Sequence, residues 1–177
     1  ETDADVTVSG GDATIDDVLT GTLDVSDGTV ALITDPLNPT TGSVSGQTTV
    51  SGGVVDNAGS LLGGLDMTSG QVNNNITADA NGLINNAVNV TGGILNNEGT
   101  EGNRASITGD VVIGQELDVD GVTVLSQGRV NADGGDFANI DVQTGGQLFV
   151  RDETDADVTV SGGDATIDDV LTGTLDV

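Results

Sequence analysis

The sequence contains no cysteine, histidine, lysine, tryptophan or tyrosine, and each absence removes a class of chemistry. Without cysteine there is no disulfide framework and no thiol nucleophile. Without histidine there is no Ser-His-Asp triad, and without both residues the usual zinc sites are excluded. Without lysine the phosphate-binding G-x-x-x-x-G-K-[ST] loop cannot be completed. Long apolar runs are also absent, so the sequence predicts no helix that spans a bilayer.

Positive charge is almost missing as well. Arg104, Arg129 and Arg151 are the only basic side chains in 177 residues, against 29 Asp and Glu, and the formal net charge is −26. This balance argues against binding to nucleic acids or to anionic lipid, both of which attract Lys and Arg. A chain this acidic and this rich in glycine can be disordered. The periodic placement of Val, Ile and Leu favours a folded chain instead.

A long exact repeat is the first positive feature. Residues 1–25 and 153–177 are identical letter for letter, at an offset of 152 residues. Because packing constrains only some positions, such identity indicates tandem duplication rather than convergence. We interpret residues 1–152 as one full repeat and residues 153–177 as the start of the next, continuous with it in one rod. We therefore expect the chain to be a piece of a longer array.

A shorter period lies inside the long one. Its marker is an apolar residue, usually followed by Ser or Thr, with Gly two or three places on. The intervals between markers are 17, 25, 17, 23, 17, 18, 17 and 18 residues, which predicts eight units per long repeat. The two longest units carry insertions, one including Thr34–Thr41 and the other around Asn73–Asn86. The markers are Val8, Val25, Val50, Met67, Val90, Ile107, Leu125, Val142 and Val160.

Alternation around the markers predicts short strands. Triplets such as Val6-Thr7-Val8 and Leu23-Asp24-Val25 place two apolar side chains on one face and the polar one on the other. A glycine turn follows, and about five residues after most markers a second apolar residue predicts a second strand. This second set comprises Val30, Val55, Val72, Leu95, Val112 and Val130. An outward column is expected from Thr7, Asp24, Thr49, Asp66, Asn89 and Asp141.

A unit of this size cannot bury its inner face alone, but stacked units joined by parallel ladders can. The predicted fold is all-β: a parallel β-helix, or β-solenoid, with about eight coils per 152-residue repeat. Crossover geometry favours right-handed coils, although coils near 18 residues also suit left-handed ones. The alternative is a string of immunoglobulin-like sandwiches. These repeat at about 100 residues and usually bury an aromatic, whereas Phe137 and Phe149 are the only aromatics here.

Candidate sites for chemistry are few. Asp16-Asp17 and the pair Asp133 and Asp136 could act as paired carboxylates, but no Trp or Tyr is present to stack on a sugar. We therefore predict that the protein is not an enzyme and holds no cofactor.

Calcium is the one metal that the composition suggests, because carboxylate oxygens are abundant. The candidate ligands are Asp118, Asp120, Asp133 and Asp136, although neither the EF-hand nor the nonapeptide calcium pattern is complete. The alternative is a solvated acidic face with diffuse cation binding. Asparagine clusters at Asn73–Asn75, Asn85–Asn86 and Asn96–Asn97 predict either stacked ladders at coil corners or exposed polar loops.

Several short strings carry a family resemblance. TVSGG at Thr7–Gly11 and Thr49–Gly53, NVTGG at Asn89–Gly93 and VQTGGQL at Val142–Leu148 resemble repeats of AIDA-type autotransporter passengers. Filamentous-haemagglutinin-like adhesins are similar in style. The resemblance implies a Gram-negative surface protein with a right-handed β-helix, extracellular or attached to the outer membrane. It also implies a role in adhesion, aggregation or biofilm formation.

The leading functional hypothesis is an extended stalk in a large secreted surface protein. Its expected partners are adjacent repeats of the same chain, with head-to-tail or lateral self-association. One alternative is a self-assembling sheath or surface-layer component. Another is a calcium-binding or glycan-binding module.

Overall fold

The computed structural model describes residues 1–33, 42–75, 81–100, 103–117 and 124–177. Regular structure among these residues is entirely β, as predicted, and none of them lies in a helix that could cross a membrane. The strands are β1 (Val6–Ile15), β2 (Val18–Leu19), β3 (Leu23–Leu32), β4 (Ser43–Val44), β5 (Thr48–Asn57), β6 (Ser60–Leu61), β7 (Leu65–Asn74), β8 (Leu83–Ile84), β9 (Val88–Val90), β10 (Gly93–Thr100), β11 (Asn103–Arg104), β12 (Ser106–Ile113), β13 (Gln115–Leu117), β14 (Val124–Asp133), β15 (Asp136–Val142), β16 (Gln147–Asp152), β17 (Thr154–Val160), β18 (Asp164–Ile167), β19 (Leu171–Thr172) and β20 (Leu175–Asp176).

The strands stack in parallel, coil upon coil, as a β-solenoid. β1 pairs with β3, β3 with β5 and β5 with β7, always in parallel. Each coil has three sides. Face A is the in-out-in triplet that begins a coil, such as Leu23–Val25, face B is the following tetrad, such as Thr29–Leu32, and face C is the short strand that closes the coil, such as Ser43–Val44.

The core consists of five inward columns that run along the rod. Their members are aligned by backbone pairing and are mostly buried, which is how coils too small to fold alone share one core. Face A supplies Val6, Leu23, Thr48, Leu65, Val88, Val111, Ile140, Val158 and Leu175, and beside them Val8, Val25, Val50, Met67, Val90, Ile113, Val142 and Val160. Face B supplies Ala13, Val30, Val55, Val72, Leu95, Val130, Leu148 and Ala165, and beside them Ile15, Leu32, Asn57, Asn74, Asn97, Ala132, Val150 and Ile167. Face C supplies Leu19, Val44, Leu61, Ile84, Ile107 and Phe137.

A glycine column makes the turn from face A to face B. Gly28, Gly53, Gly70 and Gly93 all have φ between 71° and 85°, a left-handed conformation that favours glycine. The coils also approach too closely for a side chain: a Cβ built on Gly70 would lie 2.7 Å from the carbonyl oxygen of Gly53. The turn glycines predicted from the sequence are therefore required for two reasons: the positive φ of the backbone and the short distance between stacked coils.

The number of coils is seven per repeat, and the predicted eight was wrong. Two of the predicted markers do not belong to the face A column: Ile107 lies on face C between Ile84 and Phe137, and Leu125 lies in β14 outside that column. The residue that follows Val90 in the column is Ile113. Seven coils therefore separate Val8 from Val160.

Antiparallel hairpins explain the miscount. β10 and β11 pair antiparallel at Gly99–Arg104, and β13 pairs antiparallel with the first part of β14. Each hairpin is inserted between two faces of a coil. The side chains of a hairpin strand alternate with a period of two, as those of a face strand do. The predicted insertion Thr34–Thr41 lies outside the described residues. In the other predicted insertion, Asn73 and Asn74 belong to face B.

The predicted outward column on face A is confirmed. Thr7, Asp24, Thr49, Asp66 and Asn89 follow one another in register between the two inward columns. A further member, which pairs with Asn89 above and Asp141 below, is Val112. Val112 was predicted to join the core of the second strand, which is face B. That placement was wrong because it was counted from Ile107, which lies on face C and is not a marker. The handedness of the coils stays a prediction.

Candidate functional surfaces

Of the four acidic residues proposed as metal ligands, the structure describes Asp133 and Asp136. Asp118 and Asp120 lie outside the described residues. Asp136 accepts a hydrogen bond from Arg104 Nη1 at 3.0 Å, and Arg104 also lies 3.7 Å from a carboxylate oxygen of Glu153. The described segments contain no group of three or more acidic side chains placed to hold a metal ion, so Asp133 and Asp136 belong to no such group. Calcium binding stays a prediction.

The carboxyl groups with shifted pKa values mark structural hydrogen bonds. Asp5 Oδ1 accepts from the Thr22 backbone N–H at 2.9 Å and from its hydroxyl at 3.0 Å, and these bonds lower the pKa of Asp5. Asp17 Oδ1 accepts a hydrogen bond from the Val18 backbone N–H at 2.8 Å. A glycosidase acid requires a raised pKa, which is the opposite of the shift at Asp5.

Several residues make the same contacts in the two copies of the repeated segment. Asp157 Oδ1 accepts from the Thr174 N–H at 2.9 Å and from its hydroxyl at 2.8 Å, as Asp5 does from Thr22. The pKa of Asp157 is lowered by the same cause. Val8 and Val160 also occupy the same face A column, seven coils apart. The two copies therefore stand in the same phase of one continuous ladder.

An inner asparagine ladder lies in the core of face B. Asn57, Asn74 and Asn97 are each 0 % exposed and stack in register. Asn57 Nδ2 donates to Asn74 Oδ1, and Asn74 Nδ2 donates to Asn97 Oδ1, both at 2.7 Å. Asn97 Nδ2 then donates to the Asp136 carbonyl at 3.0 Å. Burial of these amides is tolerated because each finds partners within the stack and on the backbone.

An outer ladder runs beside it in the opposite direction. Asn73 Nδ2 donates to Asp56 Oδ1 at 2.7 Å, Asn96 Nδ2 to Asn73 Oδ1 at 2.7 Å, and Asn131 Nδ2 to Asn96 Oδ1 at 2.6 Å. Arg129 Nε donates to Asn131 Oδ1 at 2.9 Å. The acceptor at one end of the ladder is the Asp56 carboxylate, and the donor at the other end is the Arg129 guanidinium. The hydrogen bonds at both ends are therefore charge-assisted.

Of the two alternatives for the asparagine clusters, Asn73, Asn74, Asn96 and Asn97 form ladders, and these lie within face B rather than at coil corners. Asn85 and Asn86 are exposed at a corner, where Asn86 has φ 63°. The sequence reasoning missed two members, Asn57 and Asn131. A signal for Asn57 was present, because it precedes Asn74 by 17 residues, the spacing of an uninterrupted coil.

A cationic cluster lies on the outer side of face B. The guanidinium carbon of Arg129 is 4.2 Å from the centroid of the Phe149 ring, and that of Arg151 is 5.6 Å from it. These are cation–π distances. The cluster was not foreseen, although the spacing of Phe149 and Arg151 by two residues places both on the same side of a strand.

No family model, no curated protein and no solved structure matches the chain.

Proposed function

We propose that the chain is part of an extended stalk of a secreted bacterial surface protein, lengthened by tandem repetition. The observation that carries this proposal is the equivalence of residues 1–25 and 153–177 within one ladder. A repeat that occupies a whole number of coils can be followed by another without a break in the five core columns. Copy number then sets length, and each copy adds seven coils, or about 34 Å at about 4.8 Å per coil.

The surface chemistry suits a spacer. A net charge of −26 keeps long rods soluble and separate. The described residues offer ladders and ion pairs that hold coils together rather than a convergent polar cleft. A position outside the cell, with a role in adhesion, aggregation or biofilm formation, agrees with the resemblance of the TVSGG-type strings to autotransporter passengers.

The test is to display zero, one, two and four repeats on cells beneath one constant adhesive tip. The height of the tip above the membrane, measured by electron cryotomography, should rise by about 34 Å per repeat. Binding of the tip to its target should keep one specificity throughout. If a repeat without the tip binds cells or a glycan, the repeat is itself an adhesive module and the stalk proposal fails.

A sheath or surface-layer component is the second candidate. The observation that favours it is the cluster of Arg129, Phe149 and Arg151 on the side of the rod, since a lateral assembly needs attractive side contacts. Purified repeats in solution, viewed by electron microscopy, would distinguish the two functions. A sheath component forms ordered lattices on its own, whereas a stalk segment forms none.

A further inference from the structure

The repeated segment is covered differently in its two copies. Segment N is residues 1–25, at the top of the rod, and segment C is residues 153–177, at the bottom, with the same sequence. Leu19 in segment N is 3 % exposed, whereas the equivalent Leu171 in segment C is half-buried. Segment C also contains three of the four large apolar side chains that are exposed among the described residues: Val170, Leu175 and Val177. The lower edge of segment C is therefore an incompletely covered apolar surface.

The chain itself shows which surface covers this sequence. Segment N forms β1 and β2, and the coil below pairs with both: β3 with β1 on faces A and B, and β4 with β2 on face C. In segment C, β17 has the corresponding pairing on face A, with β20. Among the described residues, β18 and β19 pair only with the coil above them. The upper edge of β3 and β4 therefore fits segment C as well as it fits segment N.

We propose that the chain binds a second copy of itself by coil exchange, in which residues 153–174 of one chain replace residues 1–22 on the β3–β4 edge of the other. Val158 then pairs with Leu23 of the second chain, as Val6 pairs with Leu23 within one chain. β20 gives way to β3 of the second chain, and the replaced residues leave the rod. The contact joins the bottom of one chain to the top of the next, so it is heterologous and forms open-ended rods.

The identical sequences make this contact complementary in shape and in charge. The side chains that meet across it are those that already meet between the first two coils of one chain. Exchange therefore adds no new pair of facing acidic residues between these two coils, although the chain carries a net charge of −26.

Exchange also keeps the number of contacts between coils constant. Residues 1–22 pack on one neighbouring coil, and after exchange residues 153–174 make that contact in their place. A solenoid coil does not fold without a neighbour, so the replaced residues recover the conformational entropy that ordering had removed. This gain opposes the entropy that two chains lose on association. The inference concerns contacts between separate chains and does not rest on the stalk proposal.

Disulfide cross-linking between two single-cysteine chains tests the register, since the native chain has no cysteine. Thr166 is the equivalent of Thr14, which pairs with Ala31 on the outer side of face B. Exchange brings Thr166 of one chain beside Ala31 of the other, about 4.8 Å apart, which suits a disulfide. A mixture of Thr166→Cys and Ala31→Cys chains should form mixed dimers under mild oxidation at least about tenfold faster than a mixture of Thr166→Cys and Val54→Cys chains.

Val54 is the matched control for Ala31, because it is also outward and half-buried on face B but lies one coil further from the junction. Equal rates for the two mixtures would overturn the inference. Stacking of intact ends without exchange would also give equal rates, because it leaves Thr166 and Ala31 two coils apart.

A second experiment prevents the exchange by holding the first coil in place. Thr14→Cys with Ala31→Cys forms a disulfide within one chain that clips β1 to β3. The matched control is Gln147→Cys with Asp164→Cys, which clips β16 to β18 and leaves the first coil free. Both oxidised chains are incubated at high concentration below the melting temperature, where a coil with one neighbour opens locally.

Size-exclusion chromatography with light scattering then measures association, and small-angle scattering measures length. The control chain should form rods that lengthen by seven coils, or about 34 Å, for each added chain. The chain with β1 clipped to β3 should stay monomeric until a reductant opens the disulfide. If that chain associates as fast as the control, or if both stay monomeric, coil exchange does not occur.

Discussion

The inner asparagine ladder gives the sharpest test of how the core is held together. Asn74 is its middle rung: it accepts from Asn57, donates to Asn97 Oδ1 at 2.7 Å, and donates to the Ser106 carbonyl at 3.2 Å. In Asn74→Ala the buried Asn97 Oδ1 loses its donor, which costs about 1–3 kcal/mol for an unsatisfied buried acceptor. The lost bond to Ser106 adds about 1 kcal/mol. We expect a total loss of about 2–4 kcal/mol in the free energy of unfolding.

The matched control is the same substitution one residue earlier. Asn73 belongs to the outer ladder and makes three side-chain hydrogen bonds, to Asp56, Gln71 and Asn96. Because it is only half-buried, water can replace the bonds it loses, and Asn73→Ala should cost about 1 kcal/mol or less.

The assay is urea denaturation followed by far-UV circular dichroism, with both variants measured beside the parent chain. Hydrogen exchange of the coils next to Asn74 would localise the effect, since solenoid coils depend mainly on their neighbours. The reasoning is refuted if the two variants lose equal stability, or if Asn74→Ala costs less than about 1 kcal/mol.

Three further substitutions test other parts of the account. Thr48→Val should raise the free energy of unfolding by about 1 kcal/mol or more in urea titrations, because the buried Thr48 hydroxyl has no hydrogen-bond partner in an otherwise apolar column. Gly70→Ala should lower it by about 2 kcal/mol or more in the same assay, since its φ is 81° and the new Cβ would meet the Gly53 carbonyl. The lowered pKa of Asp157 implies stability that is present above its unfolded pKa of about 3.9 and lost as pH falls through the folded value. The melting temperature of Asp157→Asn should therefore lie below that of the parent at pH 6 and converge with it in the acid range, and an unchanged difference would contradict this.

The regular part of the fold could be read from the sequence because one coil is one short period. Val8, Val25, Val50 and Met67 recur at spacings of 17 or 25 residues, and the structure aligns all of them. Inward and outward positions also followed from period-two alternation, as the face A column from Thr7 to Asn89 shows.

The error arose beside the two hairpins. Leu125 lies in a hairpin strand, which alternates with the same period as a face strand, and Ile107 lies on face C, so neither could be told from a true marker by pattern alone. Only the pairing partners distinguish them, and pairing between coils is a long-range property. The Arg129 and Phe149 contact escaped prediction for a related reason: the two residues are 20 apart in sequence and meet only because the coil that carries Phe149 lies directly under the coil that carries Arg129.

The central claim is that seven coils, stacked as one ladder, make up the 152-residue repeat. Distances between paired spin labels in the outward face A column test it most directly, since single cysteines can be placed there without competing thiols. With one label at Thr7, a second at Asn89 lies four coils away, or about 19 Å. A second label at Asp141 lies six coils away, or about 29 Å, on the seven-coil count and about 34 Å on an eight-coil count. The account predicts a narrow distance distribution for each labelled pair, and the second distance should exceed the first by about 10 Å. A difference of about 14 Å, or a broad distribution, would contradict it.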